Sequence, residues 1–220
     1  MSKKEIGVWI FFAICLLAIP VAFWKNGATK FKDENYPTYA TLPDFALVNQ
    51  DNQPVTKQDL LGNVWVANFI FTSCANSCPL LTKKMAELQS FIEAEHLQDI
   101  KLVSISVDPA TDRPEKLKAY AERFHVNTKF WNFLTGDNAA IEKIVVSGFH
   151  VAKGDREPNK DFFDIVHGNR FVLVDTLGQI RGYYSVDDAE GASEKNMAAL
   201  KKDISQFQQG IGLAKNIRVH

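Results

Sequence analysis

The chain has 220 residues, a formal net charge of −1, and a composition that is 46% hydrophobic and 23% charged. That is enough chain for one domain with a real core. A near-neutral balance without a basic run carries none of the electrostatic footprint of a nucleic-acid-binding protein, and no repeat or low-complexity tract suggests a solenoid or a disordered chain.

The chain opens with Lys3 and Lys4, and then Ile6 to Trp24 contains no charged residue. As a helix this stretch would reach about 28 Å at roughly 1.5 Å per residue. A bilayer's hydrocarbon core is about 30 Å thick. Trp9 and Trp24 stand near its ends, where amphipathic rings favour the interface. A cleaved leader would need a shorter apolar run and a small-residue site, and the run closes instead on Phe23-Trp24-Lys25. Cys15 follows Ile14 rather than a small residue and lies inside the apolar run, which argues against a lipoprotein signal. The reading is an uncleaved anchor over residues 1–24. A polar tether over 25–40 and one domain over 41–220 follow it. Lysines on both sides leave the charge rule for orientation close to a tie.

Leu42 to Val48 reads as a short strand, followed by a turn at Asp51-Asn-Gln-Pro54. Val64 to Phe71 is an apolar strand covered on both sides. Pro79 to His96 is a helix, with Leu81, Met85, Leu88 and Ile92 at helical spacing. Met85 is a soft potential ligand, but its place on that stripe assigns it to the core. Lys101 to Val107 is a strand. Asp112 and Glu115 have capping-box spacing ahead of a helix carrying Leu117, Tyr120, Ala121 and Phe124. Asp137 caps a further helix through Ile141, Ile144 and Val145. Residues 148–164 form a polar loop. Phe171–Val174 and Ile180–Tyr184 flank Asp175-Thr-Leu-Gly178 as a hairpin, with Tyr183 and Tyr184 as strand packing and Asp187 and Asp188 as a solvated turn. Met197, Leu200, Ile204 and Phe207 mark a last helix. Strand, helix, strand, helix, helix, hairpin, helix implies βαβ units on a parallel sheet with an antiparallel hairpin added. That is an α/β, thioredoxin-like layout, here behind an N-terminal transmembrane helix.

Two of the three cysteines stand in Cys74-Ala-Asn-Ser-Cys78-Pro79, between a buried strand and the first long helix. Ligands and chemistry gather at such junctions, and a helix N-terminus stabilises a thiolate. Structural cysteines would not sit among Asn, Ser and Pro, and a disulfide closing so short a loop would be a weak staple. Three intervening residues also differ from the two of the thioredoxin motif. The wider loop can place both sulfurs around one ion. Two thiolates and an imidazole form a soft, low-coordination site suited to Cu(I), whereas a closed zinc site would want a fourth ligand. The same pair could equally run thiol–disulfide exchange. Cys78, beside the helix start, stands where a thiol becomes more acidic, although the spacing does not assign the attacking sulfur.

Phe71-Thr-Ser-Cys74-Ala-Asn-Ser-Cys78-Pro79, Val103-Ser-Ile-Ser-Val-Asp108-Pro109-Ala-Thr-Asp112-Arg-Pro114 and Asp164-Ile-Val-His167, in this order and spacing, resemble the Sco/SenC family. The resemblance covers nearly all of 41–207. It implies a thioredoxin-like fold and copper, as Cu(I) or Cu(II), bound by Cys74, Cys78 and His167. It also implies a role in assembling the CuA centre of cytochrome c oxidase. The partners it implies are the oxidase subunit carrying that centre, other copper chaperones and thiol reductants. Asp108 resembles an acidic residue that supports the site or partner docking. The Ala-Asn-Ser insert and Gly168 after the histidine depart from the common family pattern without removing a ligand. His150, at the other end of the polar loop, is the reserve ligand. His96 and His125 follow helices as surface residues, and His220 is terminal.

The expected function is therefore copper delivery. The alternative is a thiol–disulfide oxidoreductase reducing a membrane or periplasmic partner, which would need no histidine. A peroxiredoxin would place a threonine three residues before its reactive cysteine; Phe71 stands there. An unloaded pair outside the cytoplasm would tend to oxidise to a Cys74–Cys78 disulfide, so this chemistry puts the domain on the periplasmic side of the inner membrane.

Overall fold

A computed structural model of the chain describes residues 36–74, 77–150, 169–186 and 191–217. The chain parts into two units, Met1–Tyr36 and Pro37–His220, and every element below belongs to the second. The proposed anchor, the tether up to residue 35, His167, Asp187 and Asp188 lie outside the described residues. Among the described residues no helix is long and apolar enough to cross a membrane.

The strands are β1 (Ala40–Thr41), β2 (Ala46–Asn49), β3 (Pro54–Thr56), β4 (Val64–Ile70), β5 (Ile100–Ser106), β6 (Trp131–Thr135), β7 (Arg170–Val174) and β8 (Gln179–Ser185). They form one sheet in the order β1-β8-β7-β4-β5-β6-β2-β3. The central β4, β5 and β6 are parallel, and each remaining neighbour pairs antiparallel. The helices are α1 (Lys57–Leu60), α2 (Ser77–Ala94), α3 (Pro114–Arg123), α4 (Asn138–Glu142) and α5 (Ala192–Ile217), and α4 widens into a π-helical turn over Lys143–Gly148.

Every residue of β4 is buried, as its unbroken apolar run requires of a strand covered on both faces. On one face Trp65, Ala67 and Phe69 join Val103, Ile105, Leu134, Val172 and Val174 in a core closed by Ile141, Ile144 and Phe149. The Phe149 ring meets Trp65 and Phe69 edge-on, with centroids 5.9 and 5.1 Å apart. On the other face α3 reaches β6 through Tyr120, whose ring lies 6.0 Å from that of Phe133. Met85 is fully buried on α2, so it is a core residue as its spacing predicts.

Two expectations need correction, and the sheet holds one further strand. The stretch 42–48 is not one strand. Tyr39 to Thr41 runs along β8, Leu42 dives into the core, and the strand resumes at Ala46 past Pro43, which cannot donate to a ladder. Trp131–Thr135, a stretch with no assignment from its sequence pattern, is a sheet strand between β5 and β2. Asp112 does not cap α3. The N-cap residue is Arg113, without a side-chain cap, and Pro114 takes a first-turn position. Asp137 does cap α4, accepting the Ala140 N–H at 2.8 Å.

The parallel strands share one carboxyl edge. There the start of the β4–α2 segment (71–74) lies beside the β5–α3 loop (107–113), and Val107 N–H donates to Ile70 O across the gap.

Candidate metal and thiol site

The first turn of α2 reads Ser77-Cys78-Pro79, so the helix begins two residues earlier than its proline suggests and takes Cys78 inside. Cys74 ends a tight turn closed by its own N–H on Phe71 O at 3.1 Å. Its sulfur accepts the Cys78 N–H at 3.4 Å and lies 3.5 Å from Ser77 Oγ. The first N–H groups of a helix have no helical partner, and here the Cys74 sulfur takes the place of a capping acceptor. The positive end of the helix thus points at Cys74.

Both cysteines are free thiols, but their settings differ: Cys74 is half-buried and Cys78 only 4% exposed. Burial pushes the Cys78 thiol up to about 12; a hydrogen bond with the Phe71 backbone opposes this, and the nearby Cys74 sulfur adds to it. The sequence-based expectation of an acidic Cys78 beside the helix start is therefore overturned. Helix position alone favours Cys78, but loss of water outweighs it. At pH 8 a thiol titrating near 12 carries roughly a thousandfold less thiolate than an ordinary one near 8.5. Iodoacetamide applied to the folded, reduced protein at pH 8 is expected to label Cys74 and spare Cys78 until denaturant is added. Peptide mapping reads this directly, and equal labelling of both would contradict the assignment.

Cys78 is held from behind. Thr82 Oγ1 donates to Cys78 O at 2.8 Å and lies 2.9 Å from the buried Tyr120 hydroxyl. Burial raises the Tyr120 phenol to about 12, so it stays protonated at neutral pH. This brace from α3 has no short-range signal, because Thr82 and Tyr120 are distant in sequence. Leu80, two residues after Cys78 on α2, is 45% exposed.

Asp108 is half-buried and spends its carboxylate locally: Oδ1 accepts the Thr111 N–H at 3.3 Å. His96 and His125 are exposed, with left-handed backbone just past their helices (φ 51° and 52°), which bears out their surface reading. His150 is exposed as well. Among the described residues no three His, Cys, Asp or Glu side chains gather into a metal-holding group. Two soft sulfurs at a helix start fit a thiophilic ion, and His167 lies outside the described residues.

The chain has well-defined relatives. The SCO1 protein homolog of Bacillus subtilis is 34% identical over 162 residues, covering 72% of this chain and 79% of that protein. Among solved structures, BsSco, a member of the Sco family of cytochrome c oxidase assembly proteins in which a disulfide switch has been identified, is 29% identical. It superposes with a TM-score of 0.65, covering 79% of this chain and 97% of that one. ScoI of Bradyrhizobium japonicum, solved with copper bound, is 26% identical with a TM-score of 0.57, covering 76% of this chain and 99% of the other. The sheet order and the structural likeness establish a mixed α/β, thioredoxin-like fold. The SCO1/SenC family model matches residues 33–203, so the chain belongs to the SCO1/SenC family.

Proposed function

We propose that this protein is a copper chaperone that carries one copper ion on Cys74, Cys78 and His167 and delivers it to the subunit bearing the CuA centre of cytochrome c oxidase. Residues 1–24 would anchor it in the inner membrane, 25–40 would tether the domain, and 41–220 would work on the periplasmic side. The observation that carries the reading is the sulfur pair itself: a half-buried Cys74 receiving a helix N–H beside a buried Cys78, in a family with a member crystallised with copper. Copper is cargo here, and ligand exchange would pass it from Cys74, the reachable sulfur. The thiols must be reduced to load, so a reductant is a necessary partner.

The asymmetry of the two sulfurs also supports a second reading, thiol–disulfide exchange. The Cys74 thiolate would attack a partner disulfide, forming a mixed disulfide and releasing one partner thiolate. Cys78 would then give up its proton and attack the Cys74 sulfur, releasing the second partner thiolate. Cys74–Cys78 is oxidised by two electrons and the partner reduced by two. The deciding experiment is a Cu(I) titration of the reduced full-length protein in detergent against a chromophoric Cu(I) competitor, beside His167→Ala. One competitively held copper that weakens in the variant by more than about tenfold supports the chaperone with all three ligands. Binding indifferent to His167 removes that residue from the site. No competitive binding at all favours the exchange reading.

A further inference from the structure

Asp112 is fully buried, and its side-chain hydrogen bonds run to Thr72, just past β4, and to Ser106, the last residue of β5, at the carboxyl edge of the sheet. Its Oδ2 accepts the Thr72 N–H at 3.0 Å and the Ser106 hydroxyl at 2.6 Å, and its Oδ1 accepts the Thr72 hydroxyl at 2.5 Å. The direction of the Ser106 bond is fixed, because Ser106 Oγ already accepts the Asp108 N–H at 3.1 Å and has one proton to give. Asp112 is itself tied down through its N–H on Asp108 O at 2.8 Å.

A buried carboxylate is costly unless donors satisfy it, and a capping role would have left it at the surface for less. Here its donors converge on Thr72, two residues before Cys74. Thr72 lies within the turn that Cys74 N–H closes on Phe71 O, so fixing both of its donors fixes where Cys74 can stand. At the far end of that turn the Cys74 sulfur meets α2 through the Cys78 N–H at 3.4 Å and Ser77 Oγ at 3.5 Å. We infer that Asp112, through Thr72, is the positioning residue that holds the Cys74 sulfur over the start of α2 and thereby sets the geometry in which the cysteine pair works.

Two donors on Oδ2 demand an oxygen there, while Oδ1 faces a hydroxyl that can rotate. Asp112→Asn can therefore keep the Oδ2 contacts only by turning its amide toward Thr72, which must reverse its hydroxyl. Thr72→Val removes the hydroxyl and keeps the N–H, and Thr72→Ser keeps both. The test runs these three variants and the Thr72→Val/Asp112→Asn pair as full-length reduced protein in detergent. It reads three quantities: the pH profile of Cys74 alkylation, Cu(I) affinity by competition, and the thermal midpoint.

Thr72→Val and Asp112→Asn are each expected to move the alkylation profile to higher pH, since the sulfur leaves the helix N–H, and to weaken Cu(I) by about tenfold or more. The double variant is expected to be no worse than the poorer single, and Thr72→Ser to match the parent. The affinity arm rests on the copper reading. If the parent binds no Cu(I), that reading fails while the alkylation profile still tests Asp112. A lowered thermal midpoint with an unmoved profile and unmoved affinity would make Asp112 a purely structural residue and overturn the inference. So would additive losses in the double variant.

Discussion

Replacing Cys74 with alanine is expected to abolish competitive copper binding while leaving the fold intact. The side chain is half-buried at the sheet edge and outside the hydrophobic core, so its removal deletes little packing. Its loss does remove the acceptor of the Cys78 N–H. A helix cap contributes about 1 kcal/mol, an upper guide for a weak sulfur acceptor. The effect on copper is of another size. Losing a group that merely supports a ligand costs about 10–100-fold in affinity, and losing one of two sulfurs outright should exceed that range. Competition against a chromophoric Cu(I) ligand, with circular dichroism as the control for folding, separates the two effects. A variant that stays folded and still competes within tenfold of the parent would remove Cys74 from the proposed site.

The reason this site was legible in the sequence is that its elements are short-range. An unbroken apolar run that must be a covered strand leads into two cysteines, and a stripe at Leu81, Met85 and Leu88 begins directly behind them. Strand and helix periods differ enough to place the junction, and the junction places the thiols. What decides between the two sulfurs was not legible. Burial of Cys78 depends on the rest of the fold closing over the first turn of α2, and helix position alone points the other way. Asp112 illustrates the same limit. Its spacing to Glu115 matches a capping box, but its partners are Thr72, forty positions earlier, and Ser106. A tertiary bond won over a local one. The strand Trp131–Thr135 was missed because it is buried from Phe133 onward on both faces, which erases the alternation that marks a half-exposed strand. His167 lies outside the described residues, so its role rests on the family resemblance and on the titration set out above.

The largest stability effect is expected at Arg181, far from the cysteines in the sheet. Its side chain is 2% exposed and that of Asp175 7%, with Nη1 3.4 Å from Asp175 Oδ2. The same nitrogen donates to Thr38 Oγ1 at 2.8 Å and to Gln179 Oε1 at 3.2 Å, and the guanidinium carbon lies 5.6 Å from the centre of the Phe207 ring. One side chain therefore joins the stretch leading into β1, the β7–β8 hairpin and α5. Asp175 is also the organiser of its turn, because Oδ1 accepts the N–H groups of Leu177 and Gln179 at 2.9 Å each. Arg181→Ala would strand that carboxylate in the interior, and breaking a buried pair from one side costs about 3–5 kcal/mol. At about 2–4 °C per kcal/mol for a domain of this size, the thermal midpoint should fall by roughly 6–20 °C. Arg181→Met with Asp175→Asn should recover most of the loss, since neutralising both partners leaves no unpaired charge. Cu(I) affinity measured well below the lowered midpoint should stay within a few-fold of the parent. That contrast gives the experiment its edge: Arg181 is a staple of the fold, Asp112 a support of the thiol turn. A fall of less than about 3 °C for Arg181→Ala would mean that the pair contributes little and that the hairpin is held by its other bonds.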